Sequence, residues 1–181
     1  MMKSTTHPIY KDYPEQPYIS PKRDLARWER EPEEFPYGVV ERKQMIRTEE
    51  GLLPGDIVML WRIHFGNFTT KTWIPEYFEY RYGVDSGASI EFLHSLGYIR
   101  KCSAKESLSE LNMNQLKALL KEKNLPVGGK RAEVLERVME EISEKDLEEA
   151  VKLRKWSVTP EGSEVLKRHG EIIRKHGPKN L

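Results

Sequence analysis

Cysteine and long hydrophobic runs are nearly missing from this 181-residue chain. Cys102 is the only cysteine, which excludes an internal disulfide and a zinc cluster built from cysteines, and favours a reducing compartment. The longest apolar run extends from Ile57 to Trp61, whereas a membrane-spanning helix needs about 20 apolar residues. The first residues also lack the hydrophobic segment of a secretory signal. We therefore expect a soluble protein, with no membrane partner, that stays in the compartment where it is made.

Residue patterns typical of enzymes are missing as well. The histidines do not occur at the spacings that metal sites or nucleophilic triads use. Gly128-Gly129-Lys130 is followed by Arg131 rather than by Ser or Thr, so this stretch is not a nucleotide-binding P-loop. Paired carboxylates lie in charge runs, which usually form solvated surfaces. The sequence thus predicts a protein that is not an enzyme and that uses no cofactor or metal.

Charge is abundant but nearly balanced. Charged residues make up 33% and hydrophobic residues 38% of the chain, which is typical of a soluble, mainly helical protein. The formal net charge is +1, which argues against a protein that binds nucleic acid over its whole surface. The charge is unevenly distributed, however, and residues 152–181 hold eight Lys or Arg but three Glu. Any affinity for a polyanion must come from such local clusters.

Residues 108–142 have the pattern of two short helices joined by a tight turn. Asn112 is suited to cap the first helix, with Gln115 at the third helical position of a capping box. Leu111 and Leu116 are placed to form the hydrophobic staple that accompanies such a box. Pro126 stops the first helix, because the residue before a proline is pushed out of the α-helical region. Each helix has one narrow apolar stripe, so the two stripes are expected to pack against each other.

The turn between these helices is rich in glycine and positive charge. Gly128 and Gly129 let the backbone approach a ligand closely, and the start of the next helix offers free N–H groups to an anion. From residue 117 to residue 131 the single acid is Glu122, whereas five residues are basic. The basic residues are Lys117, Lys121, Lys123, Lys130 and Arg131. We predict that these residues and the two glycines contact the phosphates of a nucleic acid.

The same stretch resembles the SAP domain, a small DNA-binding module of two helices joined by an extended turn. The resemblance covers about one fifth of the chain, and its positions are Leu125-Pro126, Gly129, Lys130-Arg131, Glu133, Val134, Leu135 and Arg137. Asn124 stands where the family often has glycine, but asparagine also tolerates the left-handed conformation of a helix C-cap. The resemblance implies binding to double-stranded DNA with low sequence specificity and a preference for AT-rich duplex.

The flanking segments predict a mainly α-helical fold with a small antiparallel β component. Tyr98 to Lys101 is expected to pair with Lys155 to Val158, because each strand is too short to be stable alone. A helix-turn-helix pattern precedes this pair and a last helix follows it, which resembles a winged-helix body. Residues 37–44 show a weak strand-like alternation. The predicted organisation is a Pro/Tyr-rich extended arm at 1–36, a winged-helix-like body at 37–106 and 152–181, a SAP-like domain at 107–142 and a connecting helix at 143–151.

A second basic surface is predicted on the last helix, which begins after Thr159. Its cations are Lys167, Arg168, Arg174 and Lys175. His169 and His176 are seven residues apart, so they would share one face of a continuous helix. Among so many cations, a phosphate is a better ligand for that face than a metal ion.

Two further functions fit the same sequence. The first is a protein-interaction adaptor, whose aromatic residues bind a partner protein. These residues are the tyrosines of the arm and four tryptophans, Trp28, Trp61, Trp73 and Trp156. RNA binding by the same basic surface is the other alternative. The favoured hypothesis is a bacterial or phage accessory protein that binds DNA. It would act in the cytoplasm at the nucleoid, or in the nucleus if the source is eukaryotic.

Overall fold

The computed structural model of the protein describes residues 6–31 and 38–177. Parts of the predicted arm, residues 1–5 and 32–36, therefore lie outside the described residues. The α-helices are α1 (Leu25–Arg30), α2 (Pro54–His64), α3 (Tyr77–Tyr80), α4 (Ser86–Ser95), α5 (Ala104–Ser107), α6 (Met113–Glu122), α7 (Arg131–Glu141), α8 (Glu144–Ala150), α9 (Pro160–Arg168) and α10 (Gly170–His176). Short 3-10 helices occur at Pro8–Tyr10, Arg42–Met45 and Leu108–Glu110. The strands are β1 (Ile99–Lys101) and β2 (Trp156–Val158).

The predicted strand pairing is confirmed. β1 and β2 form a two-stranded antiparallel sheet. Its register is fixed by hydrogen bonds from Thr159 N to the Tyr98 carbonyl (3.0 Å) and from Cys102 N to the Lys155 carbonyl (2.8 Å). The fold is therefore mainly α-helical with a small antiparallel β component, as the sequence predicts. The winged-helix resemblance of the flanking segments stays a prediction.

The chain divides into two compact units. The first unit comprises residues 1–64, 73–99 and 158–181. Its centre is α2, in which eight of the eleven residues are buried, and α4, α9 and α10 pack against it. Asp56, in the first turn of α2, accepts hydrogen bonds from Leu53 N (2.9 Å) and the Ser89 hydroxyl (2.6 Å). Burial raises the pKa of this carboxyl, and the two hydrogen bonds partly offset that rise.

The described part of the predicted arm contributes to the core of this unit. Tyr10, Ile19 and Trp28 are almost completely buried. The Tyr10 hydroxyl accepts a hydrogen bond from Val40 N at 3.1 Å, and α1 is capped by the Asp24 carboxylate. The strand-like pattern predicted at residues 37–44 is wrong for its described part, because residues 42–45 form a 3-10 helix that turns Gln44 and Met45 inward.

The last helix is also different from the prediction, because it breaks into α9 and α10 at His169. The Glu50 carboxylate holds this junction, with Oε1 2.9 Å from Arg168 Nε and Oε2 2.8 Å from His169 Nε2. His176 lies instead in the core, with its Nδ1 2.5 Å from the Tyr82 hydroxyl. The two histidines therefore do not form the shared phosphate-facing surface that a continuous helix would provide.

The second unit comprises residues 65–72 and 100–157 and contains the predicted helical hairpin. The apolar stripes of α6 and α7 face each other, as predicted. Residues from α5 and α8 complete the core, which consists of Ala104, Leu108, Leu111, Leu116, Leu120, Val134, Val138, Ile142, Leu147 and Val151. The hairpin thus buries its apolar side chains with the help of two neighbouring helices rather than alone.

Candidate nucleic-acid interface

The start of α6 has the geometry that the sequence predicts. The Asn112 side chain accepts a hydrogen bond from Gln115 N, and the Gln115 side chain accepts one from Asn112 N, both at 2.8 Å. Leu111 and Leu116 are buried beside this capping box. Because the backbone donors of the first turn are satisfied in this way, α6 begins at a fixed residue. The lysines of α6 consequently have defined positions along its surface.

The turn after α6 is held by its backbone conformation and by one arginine. Asn124 follows the C-cap residue Lys123 and has φ 56°, so it takes the left-handed conformation that the sequence suggests, and Gly129 has φ 120°. Arg137 Nη1 donates to the carbonyls of Pro126 (2.7 Å) and Gly128 (2.9 Å). This side chain ties α7 to the turn and restrains the conformation of the turn.

The start of α7 differs from the simple anion site that the sequence predicts. Glu133 Oε2 accepts a hydrogen bond from Lys130 N at 2.6 Å and lies so close to Gly129 that a Cβ there would be 2.8 Å from it. The carboxylate of the protein itself therefore occupies the positive end of this helix. Within the described part of the chain, the backbone N–H groups of Val127, Gly128 and Gly129 have no acceptor. These groups, one step before the helix, are the donors that remain for an external anion.

Three of the predicted lysines remain free to meet a phosphate. Lys121 and Lys130 are exposed, Lys117 is half-buried, and none of them has an ion-pair partner among residues 6–31 and 38–177. Lys123 is different, because its ammonium lies 2.7 Å from Asp146 Oδ2. That ion pair raises the pKa of Lys123 and lowers the pKa of Asp146, so the charge of Lys123 is already compensated.

The Arg131 side chain also has a structural role. Its Nη2 donates to the carbonyls of Ser109 (2.9 Å) and Leu111 (2.7 Å), which lie at the entry to α6. Arg131 therefore connects the start of α7 to the segment that precedes α6. The sequence correctly predicts that Arg131 lies at the start of the helix. It does not predict that the guanidinium lies against these carbonyls.

The charge of this region is polarised rather than simply positive. Residues 107–143 contain six Lys or Arg and six Glu. The free lysines belong to α6 and the turn, whereas α7 carries Glu133, Glu136, Glu140 and Glu141. A polyanion is therefore attracted to the turn and the lysine edge of α6 and repelled by the acidic side of α7.

The predicted second basic surface lies in the first unit, on α9 and α10. Lys167 pairs with Glu164 at 2.8 Å, and Arg168 pairs with Glu50. Burial alone would raise the pKa of Glu50, but hydrogen bonds led by that from His169 lower it to about 2, so its negative charge persists beside Arg168. Arg174 and Lys175 are exposed. The structure thus leaves two of these four cations without an ion pair within its described ranges.

Two residues that shape the turn were not among the site residues predicted from the sequence. Glu133 caps the start of α7, and Arg137 fixes the turn. The position of Glu133, three residues after Lys130, is the capping-box spacing and is a signal that could have identified it. Nothing in the spacing of Arg137 shows that it reaches back to the Pro126 and Gly128 carbonyls.

The rest of the described chain has neither a metal cluster nor a membrane helix. Within residues 6–31 and 38–177, no group of three or more His, Cys, Asp or Glu is placed to hold a metal ion. Each helix in those ranges is too short or too polar to span a bilayer.

Comparison with known proteins identifies the hairpin. The family model of the SAP domain matches residues 107–143, which include α6, the turn and α7. No curated protein and no solved structure matches the chain. The SAP domain is a general DNA-binding module, which supports a DNA-binding role. The capped helices, the turn held by Arg137 and the matching family model together show that this chain carries a SAP domain at residues 107–143.

Proposed function

We propose that this protein binds duplex DNA without catalysing a reaction on it, through the turn at 127–130 and the lysine edge of α6. The observation that carries the proposal is the turn itself. Among the described residues, the N–H groups of Val127, Gly128 and Gly129 have no acceptor, exposed Lys130 follows them directly in the chain, and Arg137 holds the backbone of the turn. Backbone donors and a lysine in one place are suited to the oxygens of a phosphate.

Lys117 and Lys121 extend this surface along α6. They lie one helical turn apart, so both can follow the same strand of a nucleic acid. If Lys117, Lys121 and Lys130 each neutralise one phosphate, the logarithm of the affinity should fall with the logarithm of the salt concentration with a slope of roughly −3. Phosphate contacts carry no sequence information, so low specificity follows. A preference for AT-rich duplex, which the SAP resemblance implies, is the finer part of the proposal.

We also propose that the protein acts in the cytoplasm at the nucleoid, as a bacterial or phage accessory protein, or in the nucleus of a eukaryotic source. This part of the proposal depends on the DNA-binding role alone.

The test is a titration of the full chain against four labelled oligonucleotides: an AT-rich duplex, a GC-rich duplex, a single strand and an RNA hairpin. Fluorescence anisotropy at several salt concentrations measures each affinity. We expect both duplexes to bind with a steep salt dependence and the AT-rich duplex to bind more tightly. Tighter binding of the RNA would assign the surface to RNA, and binding that ignores salt would reject phosphate recognition.

The structure leaves fewer tryptophans available for a partner protein than the adaptor alternative assumes. Trp28 and Trp156 are only 1% and 8% exposed, so they belong to the cores of their units. Trp73 is 75% exposed and is the tryptophan that supports a contact with a partner protein. Mutation of Trp73 to alanine would abolish partner binding under this alternative and leave DNA binding unchanged under the favoured proposal.

A further inference from the structure

The outer side of α7 carries a groove that the DNA-binding proposal does not use. We call it the acidic groove, and it has a volume of about 530 Å³ between α7 and α5. Ala132, Leu135 and Met139 form its floor at helical spacing. Glu136 and Glu140 border it on α7, and Lys105 borders it on α5. All of these residues belong to the second unit.

The apolar floor of the acidic groove is incompletely covered. Met139 is 39% exposed, although it is a large hydrophobic residue. Leu135 is half-buried and packs against the core of the SAP domain, so the floor is continuous with that core. A flexible thioether at the surface adapts to different partner side chains, which is a common property of protein-binding helices.

The acids around this floor are placed unfavourably for an isolated helix. Glu136 and Glu140 are one turn apart, so their like charges repel each other. Glu140 and Glu141 lie in the last turn of α7, where the helix dipole is negative and no basic residue compensates it. None of the three has an ion-pair partner among residues 6–31 and 38–177. A cationic partner would relieve both repulsions at once.

We infer that the acidic groove binds a cationic amphipathic helix of a partner protein. The apolar face of that helix would cover Leu135 and Met139, and its Lys or Arg side chains would pair with Glu136 and Glu140. The floor extends over eight residues of α7, which is about 12 Å, or two turns of a bound helix. The negative border disfavours nucleic acid and anionic lipid in the same place. This inference is independent of the proposed DNA binding, because it uses the opposite charge and another side of the domain.

The probe for this inference is an 18-residue amidated peptide of Leu, Lys and Ala with its leucines on one helical face. A peptide of the same composition with scattered leucines controls for simple charge attraction. Binding to the full chain is measured by calorimetry, for the wild type, for the double variant Glu136→Gln/Glu140→Gln and for Met139→Gln. A matched control, Glu91→Gln/Glu171→Gln, removes two exposed acids of the first unit.

We expect the amphipathic peptide to bind the wild type and the control variant equally, and the double variant about tenfold more weakly, as for the loss of two exposed ion pairs. Met139→Gln should also weaken binding, and Lys130→Gln should not change it. Equal binding of the scattered peptide, or unchanged binding by the double variant, would overturn the inference. Self-association of the wild type that the double variant loses would assign the groove to a second copy of this chain instead, and would also overturn it.

Discussion

Replacement of Arg131 by glutamine separates structural from binding roles at the turn. The Arg131 guanidinium donates to the carbonyls of Ser109 and Leu111, whereas the Lys130 ammonium has no partner within the described ranges. A hydrogen bond from a charged group contributes about 1.5 to 3 kcal/mol when it is buried. Arg131 is exposed, so water replaces part of each bond, and we expect the variant to destabilise the second unit by about 1 to 2 kcal/mol in total.

The measurement is native-state hydrogen exchange of backbone amides in α6 and α7, followed by NMR in the full chain. Arg131→Gln should accelerate exchange about five- to thirtyfold, which corresponds to that loss of free energy. Lys130→Gln is the matched control, since an exposed side chain without partners changes stability by less than about 0.5 kcal/mol. DNA affinity should fall in the control although its exchange rates stay the same. Unchanged exchange in Arg131→Gln, or faster exchange in Lys130→Gln, would refute this division of roles.

Three further predictions concern the turn, the core and the pH dependence of the second unit. Arg137→Lys keeps the charge but loses the paired contacts to the carbonyls of the turn. The NMR order parameters of the turn glycines and the DNA affinity should therefore both fall. Unchanged values would show that the turn is stable without Arg137. Leu116→Ala should destabilise the unit by roughly 2 to 5 kcal/mol in urea unfolding, because its side chain is fully buried, whereas an exposed control, Ala118→Gly, should cost about 1 kcal/mol. Glu106 has a pKa of about 2, lowered from 4.5 first by its hydrogen bond with Arg100 and then by Ser103 N, so its contribution to stability is present above pH 4.5 and lost as the pH falls towards 2. Glu106→Gln should lower the urea midpoint more at pH 5 than at pH 2, and an equal change at both pH values would contradict the ion pair.

The features that sequence reasoning predicted are those decided by neighbouring residues. The Asn112–Gln115 capping box and the left-handed Asn124 depend on three or four consecutive positions. The pairing of β1 with β2 connects distant segments, but it followed from the need of two short strands for a partner. The SAP domain was recognisable because the stop at Pro126 and the following glycine and basic residues occur in register.

The features that it missed are decided by side chains that reach distant groups. Lys123 pairs with Asp146, and Arg131 donates to the carbonyls of Ser109 and Leu111. No local sequence pattern indicates partners at these separations. The break at His169 has the same origin. An apolar pattern that continues through residue 173 predicts one helix, but Glu50 binds Arg168 at the end of α9 and His169 at the junction. Charge counting therefore overestimated the cations available to DNA, because it could not show which ones already have partners.

The most direct test of DNA binding by the turn and α6 compares two triple variants of equal net charge. Lys117→Gln/Lys121→Gln/Lys130→Gln removes the three free lysines of the proposed interface, and Lys11→Gln/Lys22→Gln/Lys145→Gln removes three exposed lysines elsewhere. Anisotropy with a labelled AT-rich duplex at about 0.1 M salt should show on the order of a 100-fold loss of affinity, and nearly no salt dependence, in the first variant only. Equal affinity of the two variants would contradict the assignment of DNA binding to this surface.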